Sequence, residues 1–226
     1  MHEMMVRLFP YVMKKPDQFW QSVLETLIMT GWAGGIMLLL GLVLGVTLTV
    51  TRQGGILASK PVYQVLDKVI NLFRSIPFVI LIALLMNVTK ALMGTRIGVR
   101  GVIVPLVVGS APFFARQVDA ALCSVDGGLI EAAKAMGVSS FGIIFRVYLK
   151  EGAPAIARGT TITLINLIGL TAMSGYVGAG GLGDYAITYG YNYNRMDIVW
   201  AAVIVTVLIV SVVQGIGTLI ARKATH

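Results

Sequence analysis

Residues 26–51 read TLIMTGWAGGIMLLLGLVLGVTLTVT, without one Asp, Glu, Lys or Arg. A helix needs roughly 20 apolar residues to cross the hydrocarbon core of a bilayer, so this run predicts a membrane span. Two further runs, 159–183 and 198–221, are equally free of charge. Two shorter ones, 75–89 and 101–115, each abut an arginine, Arg74 and Arg116, whose long side chain can snorkel to the interface. The reading is an all-α polytopic membrane protein with five transmembrane helices. Composition agrees: 57% of the 226 residues are hydrophobic and 12% charged, about half the roughly 25% charge of a soluble domain. The length suits one domain.

The 18 Lys and Arg against 10 Asp and Glu leave a net charge of +8. In a soluble chain that surplus would suggest nucleic acid, but here the charges sit between apolar runs and are better read as topology signals, with no nucleic-acid partner. Eleven basic residues fall after helices 1, 3 and 5: Arg52, Lys60, Lys68, Arg74, Arg116, Lys134, Arg146, Lys150, Arg158, Arg222 and Lys223. Seven fall on the other side: Arg7, Lys14, Lys15, Lys90, Arg96, Arg100 and Arg195. The positive-inside rule then puts the N-terminus outside and the C-terminus in the cytoplasm. The first apolar run is too long for the h-region of a cleavable signal peptide.

Several chemistries lack their residues. Cys123 is the only cysteine, which rules out an internal disulfide and a cysteine metal site, and it reads as an inert packed thiol. The two histidines, His2 and His226, stand at opposite ends, so no catalytic residue, metal site or bound cofactor is expected in this chain. No predicted span carries a charge at mid-depth, as a proton relay or ion-coupled carrier usually does. Residues 178–183, GAGGLG, match the dinucleotide pattern G-x-G-x-x-G. That pattern works between a strand and a helix, whereas here a membrane span precedes it and a tyrosine-rich segment follows.

Pro77 in the second span and Pro112 in the third fit a bend beside a pathway, and both fit helix packing equally. The glycines of the first span, Gly31, Gly34, Gly35, Gly41 and Gly45, read as close helix contacts.

The long segment between the third and fourth spans, residues 124–154, reads SVDGGLIEAAKAMGVSSFGIIFRVYLKEGAP. Leu129, Ala132, Ala133 and Met136 share one helical face. Ser124 and Asp126 are start signals, and Gly137 is a stop. Ser139 or Ser140 can cap a second helix whose Phe141, Ile144, Phe145 and Tyr148 repeat at i, i+3, i+4, i+7. Helices this short are marginal alone and must dock, either on their own bundle or on a partner.

Within that segment EAAKAMG, residues 131–137, resembles the EAA motif of permease subunits of ATP-binding-cassette importers. Glu131, Ala132, Ala133, Gly137, Val147 and Leu149 fall at the family's positions, while Lys150 stands where the family usually has proline. Stretches 24–30, 71–82, 104–122 and 161–183 are similar to the methionine-importer branch, although osmoprotectant and phosphonate permeases share the glycine-rich part. The resemblance implies the type I permease fold. It divides the chain into an N-terminal segment 1–21, a permease domain 22–215 with its coupling loop 124–154, and a cytoplasmic tail 216–226.

It further implies a homodimer in the bacterial inner membrane, two cytoplasmic ATPase subunits that bind ATP and magnesium, and an external substrate-binding protein. The chain has no G-x-x-x-x-G-K-[ST] sequence of its own, so it is expected not to be an enzyme. The imported substrate would be methionine, D- or L-. Coupling to the ATPase would fall to Glu131, Ala132, Ala133, Met136, Gly137, Val138 and Phe141. The fourth span offers Thr163, Asn166, Thr171 and Ser174 as polar pathway lining, with Met173 as a flexible gate. Interhelical hydrogen bonding and core filling account for the same residues. A passive channel or scaffold is the competing class.

Overall fold

The computed structural model describes residues 9–224, so His2, Arg7 and His226 of the reading above lie outside the described residues. The described residues form helices and no strand. They are α1 (Pro10–Lys14), α2 (Pro16–Thr51), α3 (Lys60–Ser75), α4 (Phe78–Met93), α5 (Gly98–Cys123), α6 (Gly127–Ala135), α7 (Ser140–Ile143), α8 (Leu149–Glu151), α9 (Ala153–Ser174), α10 (Gly181–Asp184) and α11 (Met196–Ala224).

Among the described residues, four helical stretches are long and apolar enough to span a bilayer: Pro16–Thr51, Gly98–Cys123, Ala153–Val177 and Met196–Ala224. A fifth span exists only if α3 and α4 count as one, and they meet at a bend of 110°. The run 75–89 is therefore not one helix. Proline disfavours helical geometry in the residue before it, and Ile76 is extended at φ −82°, ψ 123°. Pro77 caps α4 from outside it. Pro112, by contrast, lies inside an unbroken α5.

Other boundaries shift for local reasons. α2 begins at Pro16 rather than residue 26, because Asp17, Gln21 and Glu25 continue the helix past the end of the charge-free run. α9 stops at Ser174, and a 3₁₀ turn covers Gly175–Val177. Gly178, Gly180 and Gly181 then take positive φ values of 70°, 81° and 83°, so the span cannot reach residue 183.

The chain divides into two compact units. The first comprises Met1–Gly35, Pro77–Val107 and Leu164–Val213. Its core packs Val12, Phe19 and Val23 against Leu182, Tyr185, Ile198, Ala201 and Ala202. The Asp197 carboxylate accepts the Tyr11 amide at 2.8 Å, joining α1 to α11.

The second unit comprises Ile36–Ile76, Val108–Thr163 and Gln214–His226. Here Leu48, Ile70 and Ala115 form a small core. A methyl group at Gly45 would stand 2.6 Å from both the Ala115 carbonyl oxygen and Val118 Cβ, so α2 and α5 approach almost backbone to backbone. Gly31 and Gly35 face open space; among the five glycines of α2, close contact belongs chiefly to Gly41 and Gly45.

Arg116 does not snorkel. Its guanidinium pairs with Asp67, donates to Asn71 Oδ1 at 3.0 Å and lies 3.8 Å from Asp119. Asp119 in turn accepts the Thr49 hydroxyl at 2.9 Å. One network therefore ties α2, α3 and α5 together.

Candidate functional site

The 124–154 segment is built by its caps. Asp126 Oδ1 accepts the Gly128 amide at 2.8 Å and starts α6. Ser124 has another role: its hydroxyl donates to the Ala121 carbonyl at 2.7 Å, at the end of α5. Gly137 ends the turn at φ +73°, with its amide and that of Val138 returning to Lys134 and Ala133. Ser139 then accepts from Gly142 at 3.2 Å and starts α7. The helical path continues through a π turn over Ile144–Tyr148 into α8.

This path puts two faces on the corner. Ala133, Ile143, Ile144 and Tyr148 are buried. Burial raises the Tyr148 phenol above its ordinary pKa, and Cys123 adds to the shift; at neutral pH the group is uncharged. The other face holds Leu129, Met136, Phe141 and Phe145, and the last three are 75%, 70% and 66% exposed. Glu131 and Ala132 are exposed beside them and Val138 is half-buried. The expected single face of Leu129, Ala132, Ala133 and Met136 thus splits, with only Ala133 turned inward. Two phenylalanines and a methionine projecting from one glycine corner form an apolar patch of the kind that marks an interaction site.

α9 divides its polar residues in the same way. The hydroxyls of Thr163, Thr171 and Ser174 are buried and donate to carbonyls of their own helix, Gly159, Ile168 and Thr171, at 2.7, 2.7 and 2.6 Å. Asn166, Gly169 and Met173 instead share an exposed stripe at helical spacing. The structure does not bring the five predicted pathway residues onto one face.

The glycine stretch supplied the residues that sequence reading missed. Gly180 precedes α10 and has no side chain to cap it, and the first amides of a helix need outside acceptors. Glu25 Oε2 takes the Gly181 amide and Thr26 Oγ1 takes the Leu182 amide, each at 2.8 Å. Gln21 steadies the other Glu25 oxygen at 2.9 Å, and the Gly178 carbonyl accepts the Gly98 amide at 3.0 Å. Amides that would cradle a phosphate in a dinucleotide site are here taken by the chain's own Glu25 carboxylate and Thr26 hydroxyl. Glu25 carried one hint, as the lone acid just before the first apolar run.

Comparison with known proteins agrees with this architecture. A permease protein from Vibrio cholerae, described as a probable D-methionine transport system MetI, is 41% identical over 202 residues, covering 89% of this chain and 90% of its own length. The methionine import system permease MetP of Bacillus subtilis is 44% identical over 203 residues, covering 90% and 91%. A solved structure of inward-facing conformations of the MetNI methionine ABC transporter superposes with a TM-score of 0.90 at 40% identity over 100% of both chains. An amino acid ABC transporter at 19% identity and a TM-score of 0.78 shares the fold, covering 95% of this chain and 98% of its own. Residues 37–226 match the family described as binding-protein-dependent transport system inner membrane component, and the chain belongs to that family.

Proposed function

We propose that the chain is the membrane-spanning subunit of an ATP-driven methionine importer. Two copies would form the pathway on their shared axis, driven by two cytoplasmic ATPase subunits and supplied by an external binding protein. The N-terminus lies outside, so that the 124–154 corner meets the ATPase. One observation carries coupled transport over a passive channel: Met136, Phe141 and Phe145 stand exposed around Gly137, apolar surface that the described residues leave uncovered. Methionine as substrate is supported by the names of relatives covering about nine-tenths of the chain.

In this reading ATP binding draws the ATPase subunits together, and the corner transmits the movement as rigid-body rocking of the spans. The pathway face of α9 is the Asn166, Gly169 and Met173 stripe. Thr163, Thr171 and Ser174 serve its backbone instead. Pro77, at the α3–α4 break, is the better placed of the two proline hinges.

The test is ATP-dependent uptake of labelled L- and D-methionine by proteoliposomes holding the permease, its ATPase and its binding protein. Methionine uptake that stops with Phe141→Asp is the expected result, with the ATPase lost on purification and the permease retained. Aromatic anchors of this kind carry about 2 kcal/mol or more of binding, a loss of at least about tenfold in complex. Uptake of an osmoprotectant but not methionine would overturn the substrate, and full activity in Phe141→Asp would overturn the coupling role.

A further inference from the structure

The glycine turn has one feature that coupling and pathway do not use, the pair of bonds from α2. Gly181 and Leu182 give their amides to Glu25 and Thr26. A methyl group at Gly180 would stand 3.1 Å from Glu25 Cδ and nearer still to its Oε2, and one at Gly181 would stand 2.8 Å from Thr26 Oγ1. One helical turn along the same side of α2, Met29 Sδ lies 4.0 Å from the Ser174 hydroxyl.

The helix that Glu25 caps is also wedged against the end of α9. A methyl at Gly183 would stand 2.5 Å from Ala172 Cα, and one at Gly175 would stand 2.7 Å from the Gly183 carbonyl carbon. Ala172 and Ser174 flank Met173, which is 41% exposed. A rigid chain of contacts therefore runs from Glu25 through α10 to the backbone on either side of Met173.

We propose that Glu25, assisted by Thr26, is a positioning residue that latches the glycine turn to α2 and thereby holds Met173 in the closed pathway. The proposal rests on the reading of Met173 as a gate. Glu25 acts by fixing where the end of α9 sits. Loss of the Glu25 acceptor frees the Gly181 amide, leaves Thr26 as the remaining tie, and lets α10 and the α9 terminus move together, so the closed state leaks without ATP.

The experiment measures ATP-independent methionine leak in proteoliposomes of the whole complex, alongside its melting midpoint. Glu25→Ala is expected to raise the leak several-fold. Thr26→Val, which keeps shape and loses one acceptor, raises it less, and Glu25→Gln, which keeps an acceptor oxygen, stays near the parent. Met173→Ala leaks in parallel, and the Glu25→Ala/Met173→Ala double variant leaks no more than the larger single, since both act on one closure. Should Glu25→Ala resist purification, Thr26→Val against Glu25→Gln decides the question alone. A leak in Met173→Ala with none in Glu25→Ala or Thr26→Val overturns the latch. Equal leaks in Glu25→Ala and Glu25→Gln overturn it too. No leak in Met173→Ala overturns the gate reading instead, and a lowered midpoint with a tight membrane reduces Glu25 to a structural cap.

Discussion

Gly183→Ala is expected to be the most damaging single-methyl change in the molecule. The added carbon would stand 2.5 Å from Ala172 Cα and 2.7 Å from its carbonyl carbon, well inside any real contact. These are backbone atoms of α9 and cannot swing aside as a side-chain tip can. Relief requires α9 and the α10 turn to separate. The same crossing is pinned from the other side, where a methyl at Gly175 meets the backbone of Asp184 at 2.8 Å. Overpacking a filled site costs about 1–3 kcal/mol, occasionally more, and a clash held on both sides belongs at the upper end. For a chain of this size each kcal/mol lowers the midpoint by about 2–4 °C, which predicts a fall of about 6–12 °C in detergent. A midpoint unchanged in Gly183→Ala would mean that the crossing is looser than the geometry here.

Gly137→Val is expected to do the opposite, leaving the permease folded while cutting its hold on the ATPase. Nothing lies within 4 Å of a methyl added there, so no clash arises. The penalty is in the backbone, because φ is +73° and a left-handed residue with a side chain costs about 1–2 kcal/mol. Valine is worse than alanine, being branched at Cβ. The cheapest escape is for the exposed corner to open, which separates Met136 from Phe141. At about 1.4 kcal/mol for each factor of ten, the docking geometry becomes rarer by about tenfold. ATPase recovered on the permease and ATP-driven uptake should fall together by that factor, with the melting midpoint held. The order should be Val worst, then Ala, with Asn nearest the parent because it tolerates this region. Valine and asparagine variants that couple equally would remove the left-handed corner from the mechanism.

The helices were legible because a bilayer punishes charge, so charge-free runs could be read off directly. Their ends were less legible for the same reason: Glu25 closes the run yet sits well inside α2, where it finds its partner. That partner, Gly181, is 156 positions away, beyond any local pattern. The corner was readable in its caps, since Asp126, Gly137 and Ser139 act on neighbours two to four residues away. Which face it turns outward was not readable, because Phe141 and Ile144 are equally apolar and only packing separates them. In α9 chemistry alone did not separate two roles: Thr163, Thr171 and Ser174 have the polarity of a lining, and their hydroxyls bond carbonyls of their own helix. The α3–α4 break was written in Ile76-Pro77, yet a proline inside a membrane run is also compatible with a bend, so the size of the turn could not be read.

The Arg116 network sets a constraint on how the protein is made. Asp67 precedes Arg116 by 49 residues, and ribosomes add about 5–20 residues each second. For several seconds, then, the nascent chain holds an acid on α3 whose counter-charge has not yet been synthesised. An unpaired carboxylate is costly to bury against other helices, so α3 settles onto α2 only once α5 has emerged to neutralise it. The order of synthesis and the order of assembly differ at this point, and α3 waits for α5.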